Sequence, residues 1–500
     1  MNMKIAIIGA GWYGCHLALE LRKAGYDVTI YEKNSDILSG VSGNFGIRIH
    51  KGPHYQSSPK TRASCQADFE RFCTAYPEFV VPHRESIYGL GKTDAFGNPS
   101  KVNKEHFITV CEETPDAKPV DLSKSPYQQL DAAMNLDEPS AVIGERLRKG
   151  FREKLESAGV NIVTNCTIDN IYSSQNDKCI LVDKKGHSIS VDYAINATGY
   201  QSFFPPDIEK NFPVEMEVVY QPCLALEYQD TKPQEAPFSF IVMDGWYPCI
   251  MPCVKDNPFK HQYILTHGAY TILASCKTPE EASKVLSELK DEFVDKEIRA
   301  RSASEMIRFW PEFEKRFKYQ GWKSTVLAKI KTKTEFRSAV TFASDKVIHV
   351  IPGKISNVMT VGDEVMALLN DVNCLQEKGV RFMQNGVLDQ ARSEIATKPA
   401  IGEPNTCTLN TYADLTRSDL KKTALTPPTT FFSIKKTLLT KDGSTKKVSL
   451  LSTQDPSDSQ KTTTVELTEN PNASDIYSYA FFNKSKAQAP SDMRMPSCCQ

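Results

Sequence analysis

The sequence lacks the markers of several protein classes. Its 14 cysteines are scattered, with no C-x-x-C pair and no histidines at zinc-finger spacing, so neither a metal site nor a disulfide framework is predicted. Scattered thiols in a chain this long are typical of a reducing compartment. Apolar runs fall short of the roughly 20 residues that a membrane helix needs, and the first residues show no signal peptide. We therefore expect a cytoplasmic protein without a membrane partner.

The chain also lacks an excess of charge of either sign. Lys and Arg number 60 and Asp and Glu number 61, which leaves a net charge of -1. That balance gives no electrostatic footprint for nucleic acid or for an anionic membrane. Forty per cent hydrophobic and 24% charged residues are ordinary for a globular protein. The length of 500 residues allows roughly two to four domains, and no internal repeat is visible.

A strand, a helix and a second strand are predicted at the start of the chain. Lys4–Ile8 is apolar after its first residue, as expected of a buried parallel strand. Apolar residues at helical spacing then predict a helix from Trp12 to about residue 24, closed by Gly25. Asp27–Tyr31 is predicted as the second strand. The order is that of a βαβ unit.

The turn between the first strand and the helix matches the G-x-G-x-x-G pattern of dinucleotide-binding proteins. Gly9 permits the tight turn, Gly11 lets the backbone approach a pyrophosphate, and Gly14 lets the helix pack closely on the strand. The helix N-terminus offers unpaired N–H groups to the phosphates. Glu32, at the end of the second strand, can accept hydrogen bonds from a ribose diol and would repel a 2′-phosphate. These residues predict a dinucleotide site but do not separate FAD from NAD.

Further along, a long polar part with predicted loops includes residues 77–82 and 114–126, and a helix is predicted over 141–158. Short β-like runs follow at residues 160–163, 168–172, 180–182, 188–191 and 193–196. From 215 to 275 longer β-rich segments predict an antiparallel sheet inserted into the first domain. Residues 279–314 are predicted helical, followed by strands at 338–342 and 347–352 and a helix from about Asp363.

The composition changes beyond about residue 400, where Ser, Thr, Lys, Pro and Asn dominate. Such a segment buries too little apolar area to offset its ordering entropy. The expected organisation is an α/β fold with a first part of a FAD-binding domain at 1–213 and a β-rich, then helical, substrate domain at 214–335. A return segment of the FAD-binding domain at 336–400 and a probably disordered tail at 401–500 complete it.

Three later segments resemble motifs of the D-amino-acid-oxidase-like (DAO) superfamily of FAD-dependent oxidoreductases. The Ser/Gly/Asn-rich stretch from Ser42 to Tyr55 is similar to the segment that runs beside the flavin, and Asn196-Ala197-Thr198-Gly199 is similar to the "ATG" motif. The segment from Gly353 to Glu364 is similar to the C-terminal flavin motif. It departs from the family there, because Thr360-Val361-Gly362-Asp363 replaces a common glycine cluster. The resemblance, over roughly residues 1–375, implies a Rossmann-like FAD-binding fold and FAD as the cofactor.

Candidate site residues follow from the glycine motif and the resemblance. For the cofactor they are Gly9, Ala10, Gly11, Trp12, Tyr13, Gly14, Glu32, Lys33, Ser42, Gly43, Asn44, Arg48, Ile49, His50, Ile168, Ala197, Thr198, Gly199, Gly353, Lys354, Ile355, Gly362 and Asp363. For catalysis they are Arg48, His50, Tyr247 and Arg337, with Arg337 at a position where amino-acid oxidases of the superfamily often carry an arginine that binds the substrate. Each charged residue is also consistent with an ordinary structural ion pair or a solvated surface charge.

The implied reaction is oxidation of a C–N or C–O bond of a small molecule, with hydride transfer to flavin N5 and oxygen or another electron acceptor. Two alternatives stay open. One is an FAD-binding protein of a sugar or polysaccharide pathway, because the stretch from Arg48 to Tyr55 is similar to such proteins too. The other is a flavin-fold interaction protein whose tail binds a protein partner.

Overall fold

The computed structural model describes residues 3–174, 177–199, 203, 217–232, 235–331 and 336–392, together with three strands between 431 and 467. The chain divides into two units, one of residues 1–398 with 407–414 and one of residues 399–406 with 415–500. Most of the predicted disordered segment at 401–500, and the end of the predicted return segment at 393–400, lie outside the described residues. No described helix is long and apolar enough to cross a membrane.

The first unit contains a mixed sheet whose parallel part is built on the N-terminal strand. Strand Lys4–Ile8 pairs in parallel with Asp27–Tyr31 on one side and with Tyr193–Asn196 on the other. Its residues after Lys4 are buried, which explains the apolar run. The strand order across the sheet is Cys374–Glu377, Val380–Met383, Val340–Ser344, Val347–Ile351, Tyr193–Asn196, Lys4–Ile8, Asp27–Tyr31, Asn161–Val163.

Two long helices frame the glycine turn at one end of this sheet. Helix Trp12–Lys23 begins directly after Gly11, and helix Val358–Asn370 packs beside it. A Cβ atom on Gly362 would lie 3.1 Å from Nε2 of His16, so the two helices approach closely at this point. The βαβ unit and the C-terminal return of the chain therefore meet at the same end of the sheet.

A second sheet in the same unit carries the inserted β-rich segment. Its strand order is Phe317–Lys331, Glu217–Asp230, Gln262–His267, Pro248–Pro252, Phe238–Met243, Glu85–Gly91, Leu130–Asn135, Lys118–Pro119. Neighbouring strands are antiparallel except for Phe238–Met243 and Glu85–Gly91, which are parallel. The insertion is therefore as expected, but three strands of the sheet come from the part of the chain that was predicted to be loops.

The remaining elements of the unit surround these two sheets. Helix Pro59–Ala75 begins with a proline at its first position, and Oγ of Ser58 accepts the N–H of Thr61 as a cap. The other helices are Val41–Asn44, Lys104–Glu112, Glu145–Ser157, Pro279–Ser287, Asp291–Phe293, Ala300–Phe309, Phe313–Arg316 and Val387–Gln390, with single turns or a π segment at Pro77–Phe79, Val294–Arg299 and Ile355–Asn357. Small sheets are formed by Ile168–Ser173 with Cys179–Asp183 and Ser188–Val191, and by Ile47–Arg48 with Ser140–Ala141 and Val80–Val81.

In the second unit the described residues form an antiparallel meander. Strand Phe431–Leu439 pairs with Thr445–Asp455, which pairs with Asp458–Leu467. These strands were not predicted from the sequence, because Lys and Thr interrupt the apolar residues and weaken the alternation that indicates a strand.

Candidate cofactor and active site

A cleft of about 960 Å³ opens at the glycine turn, within the range usual for small-molecule sites. It is bounded by the glycine turn, the short helix Val41–Asn44, the ends of strands Asp27–Tyr31 and Tyr193–Asn196, and strand Phe317–Lys331 of the second sheet. Predicted cofactor residues that line it are Gly9, Ala10, Gly11, Trp12, Tyr13, Glu32, Lys33, Ser42, Asn44, Ile168, Ala197, Thr198, Gly199, Gly353, Lys354 and Ile355.

Gly9 and Gly14 pack as tightly as the glycine motif predicts. Gly9 has a φ of 98°, and a Cβ atom there would lie 2.7 Å from the carbonyl oxygen of Ala197. A Cβ atom on Gly14 would lie 1.9 Å from the carbonyl oxygen of Gly9, so only glycine lets the helix approach this turn. Gly11 is the N-cap of helix Trp12–Lys23 and has no side chain to cap it, and Gly11 and Tyr13 at this terminus both line the cleft.

Glu32 is held in place by the backbone around it. Its Oε2 atom accepts the N–H of Ala10 at 2.8 Å, and its Oε1 atom accepts the N–H and the Nδ2 of Asn34 at 2.9 and 2.7 Å. The side chain is nearly buried, yet it lines the cleft. A carboxylate fixed in this way at the end of the second strand fits a ribose diol.

The loop after Glu32 supports the glycine turn from the opposite side. Oγ of Ser42 accepts the N–H of Trp12 at 3.3 Å, and Nδ2 of Asn44 donates to the carbonyl of Ser39 at 2.6 Å. Gly43 does not line the cleft. A Cβ atom on it would lie 1.8 Å from the carbonyl oxygen of Leu38, so its role is close backbone packing beneath the loop.

The C-terminal flavin motif is tied to the glycine turn through one phenol. The Oη atom of Tyr13 donates to the carbonyl of Lys354 at 2.5 Å and accepts the N–H of Gly353 at 3.1 Å. Burial raises the pKa of Tyr13, so the phenol keeps its proton. These bonds hold the turn at Gly353 against the start of the first helix.

Two cations lie at the same end of the cleft. Lys354 is half-buried, with its Nζ atom 4.4 Å from the ring centre of Tyr55, and desolvation together with the nearby Arg337 lowers its pKa to about 7. Arg337 lines the cleft beside it and donates from Nη1 to the carbonyl of Phe336 at 3.3 Å. Among the described residues, neither side chain has a carboxylate within ion-pair distance.

Arg48 and His50 lie behind this end of the cleft, in a buried polar cluster. Nη1 of Arg48 donates to Oη of Tyr88 at 2.8 Å, and Oη of Tyr88 donates to Oε2 of Glu138 at 2.5 Å. Nδ1 of His50 lies 3.6 Å from the same carboxylate oxygen. The charges of Arg48 and Lys354 are close enough to His50 to act on its pKa, which burial lowers to about 4. Neither Arg48 nor His50 lines the cleft itself.

Glu138 and Tyr88 were not predicted as site residues. Both side chains are buried. Glu138 lies just after strand Leu130–Asn135, and Tyr88 lies within strand Glu85–Gly91. Neither stands in a short motif, so no pattern in the sequence alone points to them. Ile49, in the same segment, is buried, donates its N–H to the carbonyl of Pro139 and does not line the cleft.

Three further predicted site residues also lie outside the lining of the cleft. Gly362 and Asp363 lie inside helix Val358–Asn370, which begins five residues earlier than expected; Gly362 packs against the first helix, and Asp363 forms an ion pair with Arg71 on the surface. Tyr247 is buried beneath the second sheet, where its Oη donates to the carbonyl of Gly91 at 3.1 Å and its ring packs on Phe309.

Asn357 explains the earlier start of that helix. Its Oδ1 atom accepts the N–H of Lys354 at 3.0 Å and of Ala339 at 3.2 Å, while its Nδ2 atom donates to Asp68 at 3.0 Å. These bonds fix a single helical turn at Ile355–Asn357 that leads directly into the helix. No group of residues that could hold a metal ion occurs in the described part of the chain.

Comparison with known proteins agrees with this geometry. The FAD dependent oxidoreductase family, DAO, matches residues 4–327. The FAD-dependent monooxygenase kojA of Aspergillus flavus is 48% identical over 421 residues, covering 83% of this chain and 98% of the relative. The FAD-dependent monooxygenase FPY4 of Fusarium mangiferae is 24% identical over 73% of this chain and 91% of its own length.

Solved structures share the fold at low identity. Glycine oxidase from Geobacillus kaustophilus superposes with a TM-score of 0.56 at 12% identity, covering 74% of this chain and 96% of that one. NikD, an amino acid oxidase of nikkomycin biosynthesis, superposes with a TM-score of 0.57 at 10% identity, covering 80% and 98%. The match over residues 4–327 shows, in agreement with the glycine turn and the fixed Glu32, that the chain belongs to the FAD-dependent oxidoreductase family DAO and that its cofactor is FAD.

Proposed function

We propose that this flavoenzyme oxidises the C–N bond of a small amine that carries a carboxylate, such as an amino acid. The observation that carries the proposal is the pair Arg337 and Lys354, two cations at one end of the cleft. A carboxylate of the substrate would pair with the planar guanidinium of Arg337 in a bidentate manner and with the ammonium of Lys354 as a point charge.

The electrostatics of this end of the cleft favour an anionic ligand. Two cations close together in a partly buried setting repel each other, and this repulsion contributes to the low pKa of Lys354. A bound carboxylate would relieve the repulsion and raise the pKa of Lys354 again. A neutral ligand would leave both cations without an anionic partner among the described residues.

The residues of the cleft fit FAD. Gly9, Gly11 and the N-terminus of helix Trp12–Lys23 would hold the pyrophosphate, and Glu32 would hold the ribose. When bound, FAD supplies the hydride acceptor at N5. The protein's part is to orient the substrate through Arg337 and Lys354 and to exclude water from the buried end of the cleft.

A second candidate is oxygen insertion into a substrate. Relatives at 48% and 24% identity are named FAD-dependent monooxygenases, which supports this alternative. The two candidates differ in their need for a reductant. An oxidase substrate reduces the flavin by itself, whereas many flavin monooxygenases need the flavin to be reduced by another donor first.

Anaerobic mixing of the FAD-loaded enzyme with paired compounds tests the proposal. Each amino acid is compared with the amine that lacks its carboxylate, and the loss of the flavin's visible absorbance is recorded. Reduction by one or more amino acids, and weaker reduction by the matched amines, is the expected result. Reduction only after a nicotinamide donor is added, with formation of hydroxylated product in air, would favour the monooxygenase reaction instead.

A further inference from the structure

Glu138 is a fully buried carboxylate behind the cationic end of the cleft. It follows strand Leu130–Asn135, and its side chain is 0% exposed. The N–H of Lys51 donates to Oε1 at 2.7 Å, and the phenol of Tyr88 donates to Oε2 at 2.5 Å. Both carboxylate oxygens are therefore occupied by hydrogen bonds from groups around the flavin segment.

The same carboxylate faces two further residues of that segment. Nη1 of Arg48 lies 4.0 Å from Oε2, and Nδ1 of His50 lies 3.6 Å from it. Three residues within a stretch of four, Arg48, His50 and Lys51, thus converge on one anion. Such convergence fixes both the path of the backbone and the direction of the side chains.

The ionisation states of the pair are well separated. Although burial raises it, the proximity of His50 and Arg48 and the bond from Tyr88 lower the pKa of Glu138 to about 2. Burial lowers the pKa of His50 to about 4, and the charges of Arg48 and Lys354 act in the same direction. The charge of Glu138 acts in the opposite direction but is outweighed. At neutral pH an anionic carboxylate therefore lies beside a neutral imidazole.

A neutral imidazole has one N–H nitrogen and one nitrogen with a lone pair. Nδ1 of His50 is buried and has no hydrogen-bond partner among the described residues. Oε2 of Glu138 lies 3.6 Å from it. A lone pair directed at an anion is repelled, whereas an N–H directed at it is stabilised. The same logic selects the tautomer of histidines that are oriented by a carboxylate in other sites.

We propose that Glu138 is a positioning residue that fixes the proton of His50 on Nδ1, leaves the lone pair on Nε2, and holds the segment from Arg48 to Lys51 behind the flavin cleft. The inference rests on the cleft described under the proposed function, but it concerns neither the substrate nor the reaction. Its measurements use the FAD-loaded protein without substrate, so its failure and the failure of the proposed oxidation are distinguishable.

The tautomer is measured by long-range proton–nitrogen correlation spectra of the FAD-loaded protein labelled with 15N-histidine. The spectrum of His50→Gln identifies the signals of His50 among those of the 9 histidines. The expected result for the natural protein is a protonated Nδ1 and an unprotonated Nε2 at neutral pH. A proton on Nε2, or on both nitrogens, would overturn the proposal, and this measurement needs no variant of Glu138.

Glu138→Gln then tests the cause. Its amide can donate as well as accept, so the preference for a proton on Nδ1 should be lost, and His50 should show a mixture of tautomers or the other one. Tyr88→Phe removes a hydrogen bond to the carboxylate but keeps its charge, and it should keep the Nδ1 tautomer. Asp230→Asn removes a comparable buried carboxylate at the end of strand Glu217–Asp230, where it pairs with Arg316 of helix Phe313–Arg316, and should leave His50 unchanged. Unchanged His50 signals in Glu138→Gln would contradict the proposed role.

Discussion

The phenol oxygen of Tyr13 lies 2.5 Å from the carbonyl oxygen of Lys354, 341 residues further along the chain. Tyr13 belongs to the glycine motif, and Lys354 belongs to the C-terminal flavin motif. A single side chain thus connects the part of the cleft that fits the pyrophosphate to the part that carries the cations. Among the described residues, Tyr13 is the one side chain of the glycine turn that hydrogen-bonds to both Lys354 and Gly353, so the cleft depends on this connection.

Tyr13→Phe should weaken FAD binding about tenfold, or about 1.4 kcal/mol, because it leaves the carbonyl of Lys354 and the N–H of Gly353 without this partner. Titration of the apoprotein with FAD, followed by quenching of the flavin fluorescence, measures the change. Tyr26→Phe is the matched control, since its Oη bonds to Asn370 at an exposed position outside the cleft. Equal losses of affinity in both variants would contradict the role given to Tyr13.

Gly11→Ala should abolish most FAD binding while changing the stability of the apoprotein little. The added Cβ atom would meet only Oγ of Ser42, at 3.2 Å, but it would stand where the pyrophosphate approaches the backbone. Equilibrium dialysis against FAD and thermal unfolding separate the two effects.

Gly25→Ala provides the comparison for Gly11→Ala. Gly25 has a φ of 92° and open space around it, so alanine there should cost about 1 kcal/mol of stability through the left-handed backbone and leave FAD affinity unchanged. If Gly11→Ala bound FAD normally, the cofactor would have to enter the cleft in another orientation.

Binding of a small carboxylate to the FAD-loaded enzyme should weaken as the pH rises through about 7. Lys354 is charged below its lowered pKa of about 7 and neutral above it, so the cation that attracts the carboxylate is lost over this interval. Perturbation of the flavin absorbance by propionate at a series of pH values measures the affinity.

Lys354→Met should remove that pH dependence and leave the weaker affinity throughout. Lys346→Met is the control, because Lys346 pairs with Asp177 outside the cleft, and it should keep the dependence of the natural protein. A pH dependence that survives in Lys354→Met would show that another group controls anion binding.

Glu364→Gln should stabilise the protein above pH 7 and have little effect near pH 4. Burial raises the pKa of Glu364 to about 7, from an ordinary value of 4.5. A group whose pKa is raised on folding stabilises the fold below its unfolded pKa, and this contribution is lost as the pH rises through the folded value. Thermal unfolding of both proteins at a series of pH values gives the comparison.

The glutamine variant keeps an oxygen that can accept the N–H of Val387, which Oε1 of Glu364 does now. Glu292→Gln, at an exposed pair with Lys296, is the control and should follow the natural protein at every pH. Parallel curves for the natural protein and Glu364→Gln would mean that Glu364 ionises normally in the fold.

The parts of the fold that were predicted correctly are those that local sequence determines. Gly9, Gly11 and Gly14 form a motif within six residues, and Glu32 directly follows a strand that the apolar pattern predicts. The predicted start of helix Val358–Asn370 was wrong, because the side chain of Asn357, through hydrogen bonds to Ala339 and Asp68, makes the helix begin earlier. Those bonds join distant parts of the chain and leave no local pattern.

Glu138 shows the same limit at the candidate site. Its neighbours Arg48 and His50 were predicted from a resemblance in a contiguous segment, but the carboxylate that orients them comes from about 90 residues later. Strand Glu85–Gly91, which carries Tyr88, was missed because two glycines, which are rare in strands, weaken its pattern. A buried polar network is assembled by tertiary contacts, so sequence spacing alone does not reveal it.

The strand order of the first sheet has a consequence for synthesis of the chain. Lys4–Ile8 has one neighbour, Asp27–Tyr31, soon after it leaves the ribosome, but its other neighbour, Tyr193–Asn196, emerges almost two hundred residues later. The turn at Gly353 that meets Tyr13 arrives later still. Closing such long loops is slow, and the first strand has an unpaired edge until then. We therefore expect cofactor loading to follow release of nearly the whole oxidoreductase domain, and nascent chains to need protection from aggregation until that point.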